Sequence, residues 1–126
     1  IVRDHDKGLF EKKKQLMKDA ARFLNEKYGE GTVELTVTDS YYNMLEKIQP
    51  HIEIVERAKR AMESVGMTPK TVPVRGGTDG ARLSYEGLPC PNLCTGGENY
   101  HGRFEYIPVE DMEQCCRMLV ALLRME

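Results

Sequence analysis

Two short polar segments of the chain hold residue types that could bind a ligand. The first is the glycine-rich run 75–80, Arg-Gly-Gly-Thr-Asp-Gly, which follows a strand-like segment. Glycines let the backbone approach a ligand closely, and the Arg75 guanidinium offers a planar fork for a carboxylate. The run equally fits a tight turn in which Asp79 caps a helix and Arg75 forms a surface ion pair. Its spacing is that of neither a P-loop nor a dinucleotide fingerprint.

The second segment, 96–105, reads Gly-Gly-Glu-Asn-Tyr-His-Gly-Arg-Phe-Glu and centres on His101. His101 follows an apolar stretch and lies on a polar loop where no packing requirement explains it. A neutral imidazole in that setting is a plausible metal ligand or acid–base group, although a lone histidine also fits a structural or surface role. His5 and His51 are weaker candidates, because neither has a carboxylate or thiol cluster around it.

The elements that must position these residues include four helices, predicted from apolar spacing and from capping signals. The first begins after Asp4 or Asp6 and ends at Gly29. The others are predicted at 52–65, 81–86 and 108–124.

Short strands are predicted between the helices, because Val33, Leu35 and Val37 alternate with polar residues in the period of a half-buried strand. Further strand segments are predicted at 1–2, 70–74 and 91–95. The predicted fold class is therefore α/β, in the form of an α+β fragment. It consists of a strand–helix–strand unit over residues 1–38 followed by a helix–strand–helix part.

The composition is that of a globular protein, with 40% hydrophobic and 30% charged residues and a formal net charge of −2. This charge predicts no nucleic-acid partner, and no apolar run approaches the ~20 residues that a bilayer crossing needs. The basic run 12–14 is predicted to be the solvated face of a helix. The four cysteines are expected to be reduced thiols in a cytoplasmic protein. Because the chain opens on Ile1 without a methionine, we expect it to be part of a longer protein.

Several motifs together resemble one enzyme family. Residues 75–80 (RGGTDG), 87–93 (GLPCPNL), 95–97 (TGG) and 99–102 (NYHG) closely resemble the C-terminal region of the peptidase T family. These bacterial tripeptide aminopeptidases are dizinc metallopeptidases related to carboxypeptidase G and the aminoacylases. Two further segments, residues 1–4 (IVRD) and 39–44 (DSYYNM), resemble stretches that come earlier in proteins of this family, and they occur in the same order.

The resemblance implies two domains. Residues 1–45 match the second half of a lid that binds substrate and mediates dimerisation, so a homo-oligomer is expected. Residues 46–126 match the C-terminal part of the catalytic domain, which holds two zinc ions in the family. The implied substrate is a tripeptide, from which the enzyme releases the N-terminal residue by means of metal-activated water.

The resemblance also implies roles for individual residues. His101 matches the last zinc ligand of the family, while Arg3 and Arg75 match arginines that hold the substrate, through its carboxylate. Glu105 occupies a position where relatives place a carboxylate, and we interpret it as an anchor for the loop. The other four metal-ligand residues and the glutamate general base of the family match nothing in this chain, so it should have no activity alone.

Two alternatives stay open at the level of sequence. One is another hydrolase of the same superfamily, a dipeptidase or a deacylase. The other is an interaction module that dimerises through the strand edge at 32–38 and needs no metal.

Overall fold

The computed structural model describes residues 1–74 and 76–125, and helices dominate both parts. The helices are α1 (Lys7–Tyr28), α2 (Leu45–Ile48), α3 (Ile52–Ser64), α4 (Asp79–Tyr85) and α5 (Val109–Arg124), and a 3-10 turn at Gln49–His51 joins α2 to α3. The chain divides into two compact units, Ile1–Met44 and Leu45–Glu126. None of the helices in the described ranges combines the length and apolar character that a bilayer crossing requires.

The two ends of α1 follow its predicted signals. The Asp6 carboxylate accepts a hydrogen bond from the Leu9 amide at 2.7 Å, which satisfies one of the free amides of the first turn. At the other end Gly29 takes a φ of 106°, and its amide donates to the Asn25 carbonyl. The predicted start at Asp6 and end at Gly29 are confirmed, as are the helices predicted at 52–65, 81–86 and 108–124.

The prediction that the basic run 12–14 is a solvated helix face is wrong at Lys14, because the side chain of Lys14 is buried. Its ammonium lies 2.8 Å from a Glu11 oxygen and 2.9 Å from Asp39. A buried charge is tolerated only where such partners replace water. Hydrogen bonds from Lys14, and then from the Tyr42 hydroxyl, lower the pKa of Glu11 below its ordinary value of 4.5. The cluster links α1 to the segment that follows it within the N-terminal unit.

The predicted strands are not found among the described residues, where Glu98 and Tyr106 form the single antiparallel bridge. The strand–helix–strand prediction for residues 1–38 is therefore wrong for this structure. At Val33 a side chain takes the place of a partner strand, since Asn25 Oδ1 accepts from the Val33 amide at 2.8 Å. Asn25 Nδ2 also donates to the Val33 carbonyl at 3.0 Å. An alternating pattern favours a pleated segment, but a strand also needs a hydrogen-bonded neighbour.

In the second unit α3 packs against α5 around Met118 and Ala61, both with no exposed surface. Polar side chains close the edges of this contact. Arg57 donates to the carbonyls of Leu122 and Met125 at the end of α5, and Gln114 donates to the Val65 carbonyl after α3. Carbonyls at helix ends have no partner within the helix, so these side chains satisfy them.

Candidate functional site

The loop that carries His101 is a short hairpin, residues 98–106, here called the His101 hairpin. The Glu98 amide donates to the Tyr106 carbonyl at 2.9 Å, and the Tyr106 amide donates back at 3.2 Å. Inside the hairpin, the Gly102 amide donates to the Asn99 carbonyl at 2.8 Å. These bonds reverse the chain around His101 and close the hairpin at its base.

His101 lies at the turn with a left-handed backbone, φ 61°. Such a conformation is uncommon for a residue with a side chain, and the surrounding structure must hold it. Here the Glu105 carboxylate accepts a hydrogen bond from the His101 amide at 2.9 Å. The peptide of His101 is thus held by Glu105, which fits the predicted anchor, while the residue itself stays exposed.

Tyr100 folds back over the glycines that precede the hairpin. A Cβ added at Gly97 would lie 2.7 Å from the Tyr100 hydroxyl oxygen, so no side chain fits there unless the ring moves. The same hydroxyl shares a hydrogen bond with Thr95 Oγ1 at 2.8 Å. Sequence reasoning missed Tyr100 and Thr95 as supports of the hairpin. The signal that could have found them is a glycine pair followed closely by a tyrosine.

The glycine-rich turn leads into α4, whose capping residue is Thr78. Its hydroxyl accepts from the Ala81 amide at 3.1 Å. The sequence pattern also fitted Asp79 as the cap. Asp79 is instead the first helical residue, where its negative charge interacts favourably with the positive end of the helix dipole. Arg75, the candidate carboxylate ligand of this turn, lies outside the described residues.

Gly80 fixes α4 against the segment that leads to the hairpin. A Cβ at this position would lie 2.5 Å from the Cys90 carbonyl oxygen and 2.9 Å from Asn92 Oδ1. Buried Ser84 joins the same contact, because its hydroxyl donates to the Gly80 carbonyl at 2.7 Å and accepts from the Cys90 amide at 3.0 Å. The third glycine of the turn therefore serves close packing.

Gly80→Ala should destabilise the chain by about 1–3 kcal/mol, because the added methyl meets a backbone oxygen that cannot move cheaply. Urea unfolding followed by circular dichroism measures the change. Lys18→Ala is the control, since it changes an exposed position of α1 and should not lower the midpoint. An unchanged midpoint for Gly80→Ala would contradict the close contact with Cys90.

Arg3 belongs to the N-terminal unit and is exposed. Its main chain is held, since its carbonyl accepts from Lys13 Nζ at 3.1 Å. The same ammonium lies 2.7 Å from Asp4 Oδ2. The first residues of the chain are thus fastened to α1 through Lys13.

The other histidines remain weak candidates. His5 and His51 are exposed, and the nearest carboxylate oxygen to His51 Nδ1 is that of Glu53 at 3.7 Å. Over residues 1–74 and 76–125, no group of three or more histidine, cysteine or acidic side chains is placed to hold a metal ion. The described part of the chain thus offers His101 on a braced hairpin without a complete metal site.

Comparison with known proteins places these residues in a family. The family described as Peptidase family M20/M25/M40 matches residues 7–125. The chain belongs to peptidase family M20/M25/M40. Its relatives include Peptidase T of Alkaliphilus oremlandii, 58% identical over 125 residues, and Peptidase T of Halothermothrix orenii, 57% identical. Peptidase T of Caldanaerobacter subterraneus subsp. tengcongensis is 54% identical.

These alignments with M20/M25/M40 peptidases cover 99% of this chain and 31% of each of the three relatives. The chain therefore spans about a third of the length of the curated relatives that it matches. The resemblance seen in the motifs is confirmed, and it extends over nearly the whole chain.

Proposed function

We propose that this chain forms the C-terminal part of a zinc-dependent tripeptide aminopeptidase, which releases the N-terminal residue of tripeptides. The observation that carries this proposal is the similarity to proteins named Peptidase T over 99% of the chain. The exposed His101 on its braced hairpin supports it, because that is the residue that matches a metal ligand of the family. The longer protein would be the enzyme.

The donor chemistry of this chain fits one ligand of a zinc site. A neutral imidazole nitrogen is a common zinc ligand, and His101 is exposed on a hairpin whose backbone Glu105 holds. The remaining ligands and the general base would come from other parts of the longer protein. When bound, two zinc ions supply polarisation of the peptide carbonyl and activation of water.

Within this proposal Glu105 is a positioning residue. It acts on the His101 peptide and leaves the imidazole free to turn towards a metal. Arg3 and Arg75 would bind the carboxylate of the tripeptide through their guanidinium groups. For Arg3 the exposed position supports this role. For Arg75 the proposal rests on the resemblance alone.

We assign the two compact units to different domains of the longer enzyme. Residues 1–45 would form the second half of the lid, and residues 46–126 the C-terminal part of the catalytic domain. The division of the chain between Met44 and Leu45 supports this assignment. The four free cysteines support a reducing, cytoplasmic location.

Substrate comparison with the longer protein tests the proposed reaction. Release of the N-terminal residue from tripeptides, and not from dipeptides or acetylated amino acids, is the expected result. Preference for a dipeptide or an acetylated amino acid would instead favour another hydrolase of the superfamily. The reading frame upstream of Ile1 gives an independent check, since it should encode a histidine–x–aspartate motif and a pair of adjacent glutamates.

The chain should be a dimer or larger in solution. Large apolar side chains of α1, such as Leu16, Phe23 and Tyr28, are more than half exposed, and Leu123 of α5 is 83% exposed. Apolar surface of this extent favours association between copies. Sedimentation velocity at micromolar concentration measures the mass. A compact monomer that melts cooperatively would contradict this prediction.

A further inference from the structure

Two of the four free cysteines, Cys94 and Cys115, are neighbours in the structure. The Cys115 thiol on α5 lies 3.7 Å from the Cys94 carbonyl oxygen, to which it donates a hydrogen bond. This bond places the Cys115 sulfur beside the backbone of Cys94. Cys94 is exposed and Cys115 is half-buried, so Cys94 is the more accessible residue of the pair.

The packing of the chain on α5 enforces this contact. Gly96, two residues after Cys94, takes a φ of 81° and lies so close to α5 that an added Cβ would be 2.6 Å from the Cβ of Asp111. Asp111 and Cys115 are four residues apart in α5 and therefore lie on one face of the helix. Contacts at two successive turns of that face hold Cys94 next to Cys115.

The other two cysteines are placed differently. Cys116 follows Cys115 in α5, so its side chain points about 100° further around the helix axis. The backbone of Cys90 is held at α4 by the Ser84 hydroxyl. Burial, and then the nearby Cys94 thiol, raise the pKa of Cys115, which keeps it protonated at neutral pH. An oxidant from solution therefore meets Cys94 first.

We propose that Cys94 and Cys115 form an oxidisable dithiol, which hydrogen peroxide converts into an intrachain disulfide. The Cys94 thiolate attacks one peroxide oxygen, the O–O bond breaks, and the product is a sulfenic acid on Cys94 with hydroxide leaving as water. The Cys115 sulfur then gives up its proton and attacks the Cys94 sulfur, and the S–O bond breaks to release a second water. The two thiols lose two electrons and two protons, and one peroxide is reduced to two waters.

The disulfide would join α5 to the segment that leads into the His101 hairpin. Cys94 directly precedes Thr95, which holds Tyr100 over Gly97. Oxidation would therefore restrict the movement of the segment that leads into the hairpin. This proposal concerns thiol chemistry that the chain itself contains, so it holds whether or not the longer protein is a tripeptidase.

Alkylation and mass spectrometry of the 126-residue chain test the pair. Trypsin cleaves after Arg82, Arg103 and Arg117, which leaves Cys90 with Cys94 in one peptide and Cys115 with Cys116 in another. The double variant Cys90→Ser, Cys116→Ser removes this ambiguity and keeps the proposed pair. The matched variant Cys94→Ser, Cys115→Ser keeps only the other two thiols.

After peroxide, the variant with Cys94 and Cys115 should lose alkylation at both, lose two hydrogens in mass and recover both thiols on reduction. The matched variant should keep its two thiols alkylatable at the same peroxide dose. Circular dichroism of the reduced proteins checks that both variants fold. Equal disulfide formation in the matched variant would overturn the proposal. So would disulfide-linked dimers on a non-reducing gel, or sulfinic acid on Cys94 with Cys115 still alkylated.

Discussion

Replacing His101 with alanine in the longer enzyme should lower kcat/KM for a tripeptide by at least about 10- to 100-fold. That range is the typical loss when a group that only supports a metal ligand is removed, and a ligand itself should matter at least as much. The variant should also retain less zinc after dialysis. Tripeptide hydrolysis and metal analysis of the same purified protein measure the two effects together.

Two further variants separate the ligand from its surroundings. Glu105→Ala removes the acceptor of the His101 amide and should cause a smaller loss, because the imidazole itself remains. His51→Ala removes another exposed histidine and should leave activity and zinc content unchanged. Near-normal activity and metal content in His101→Ala would refute the assignment of His101 as a metal ligand.

Arg3→Lys and Arg75→Lys in the longer enzyme should each reduce kcat/KM for a tripeptide by about 10- to 150-fold. Lysine keeps the charge but loses the planar pair of donors that fits a carboxylate. A hydrogen bond to a charged group contributes roughly 1.5–3 kcal/mol, which corresponds to this range. Steady-state kinetics with a tripeptide and with its C-terminal amide measure the effect.

The amide substrate decides where each arginine acts. Because it has no carboxylate to hold, the loss caused by the substitution should largely vanish for the amide. Arg22→Lys is the matched control, since Arg22 is exposed on α1 and pairs with Asp19, and it should leave both substrates unaffected. An equal loss on acid and amide would show that the arginine acts elsewhere, for example on the carbonyl oxygen in the transition state.

The helices could be predicted from the sequence because their signals are local. Asp6 caps α1 through its own side chain, and Gly29 ends it by taking a left-handed backbone. Pro108 likewise lies at the start of α5, where its missing amide proton costs nothing. Each signal acts within a few residues of the helix end, so the amino-acid pattern is sufficient.

The strands and the burial of Lys14 could not be predicted because both depend on distant residues. Val33 has the alternating neighbours of a strand, but its backbone partner in this structure is the Asn25 side chain. Lys14 lies in a run of three lysines typical of a solvated face. It is buried because Asp39, 25 residues further along the chain, supplies its counter-charge. No local pattern encodes such pairings.

The candidate site also has features that the sequence indicated and features that only the structure shows. The residue type and the polar loop indicated His101, and the structure adds its left-handed backbone and the Glu105 hydrogen bond. The support from Tyr100 was missed because its contact with Gly97 is visible only once the chain turns back. The roles of His101, Arg3 and Arg75 remain predictions until they are measured.

Tripeptide hydrolysis by two purified proteins tests the proposed function most directly. One is this 126-residue chain, and the other is the protein encoded by the full reading frame that contains it. We predict that the longer protein releases the N-terminal residue of a tripeptide and that a chelator abolishes this activity. The 126-residue chain should give no turnover above a buffer blank, even with zinc or cobalt supplied. Chelator-sensitive hydrolysis by the 126-residue chain alone, or none by the longer protein, would contradict the proposed function.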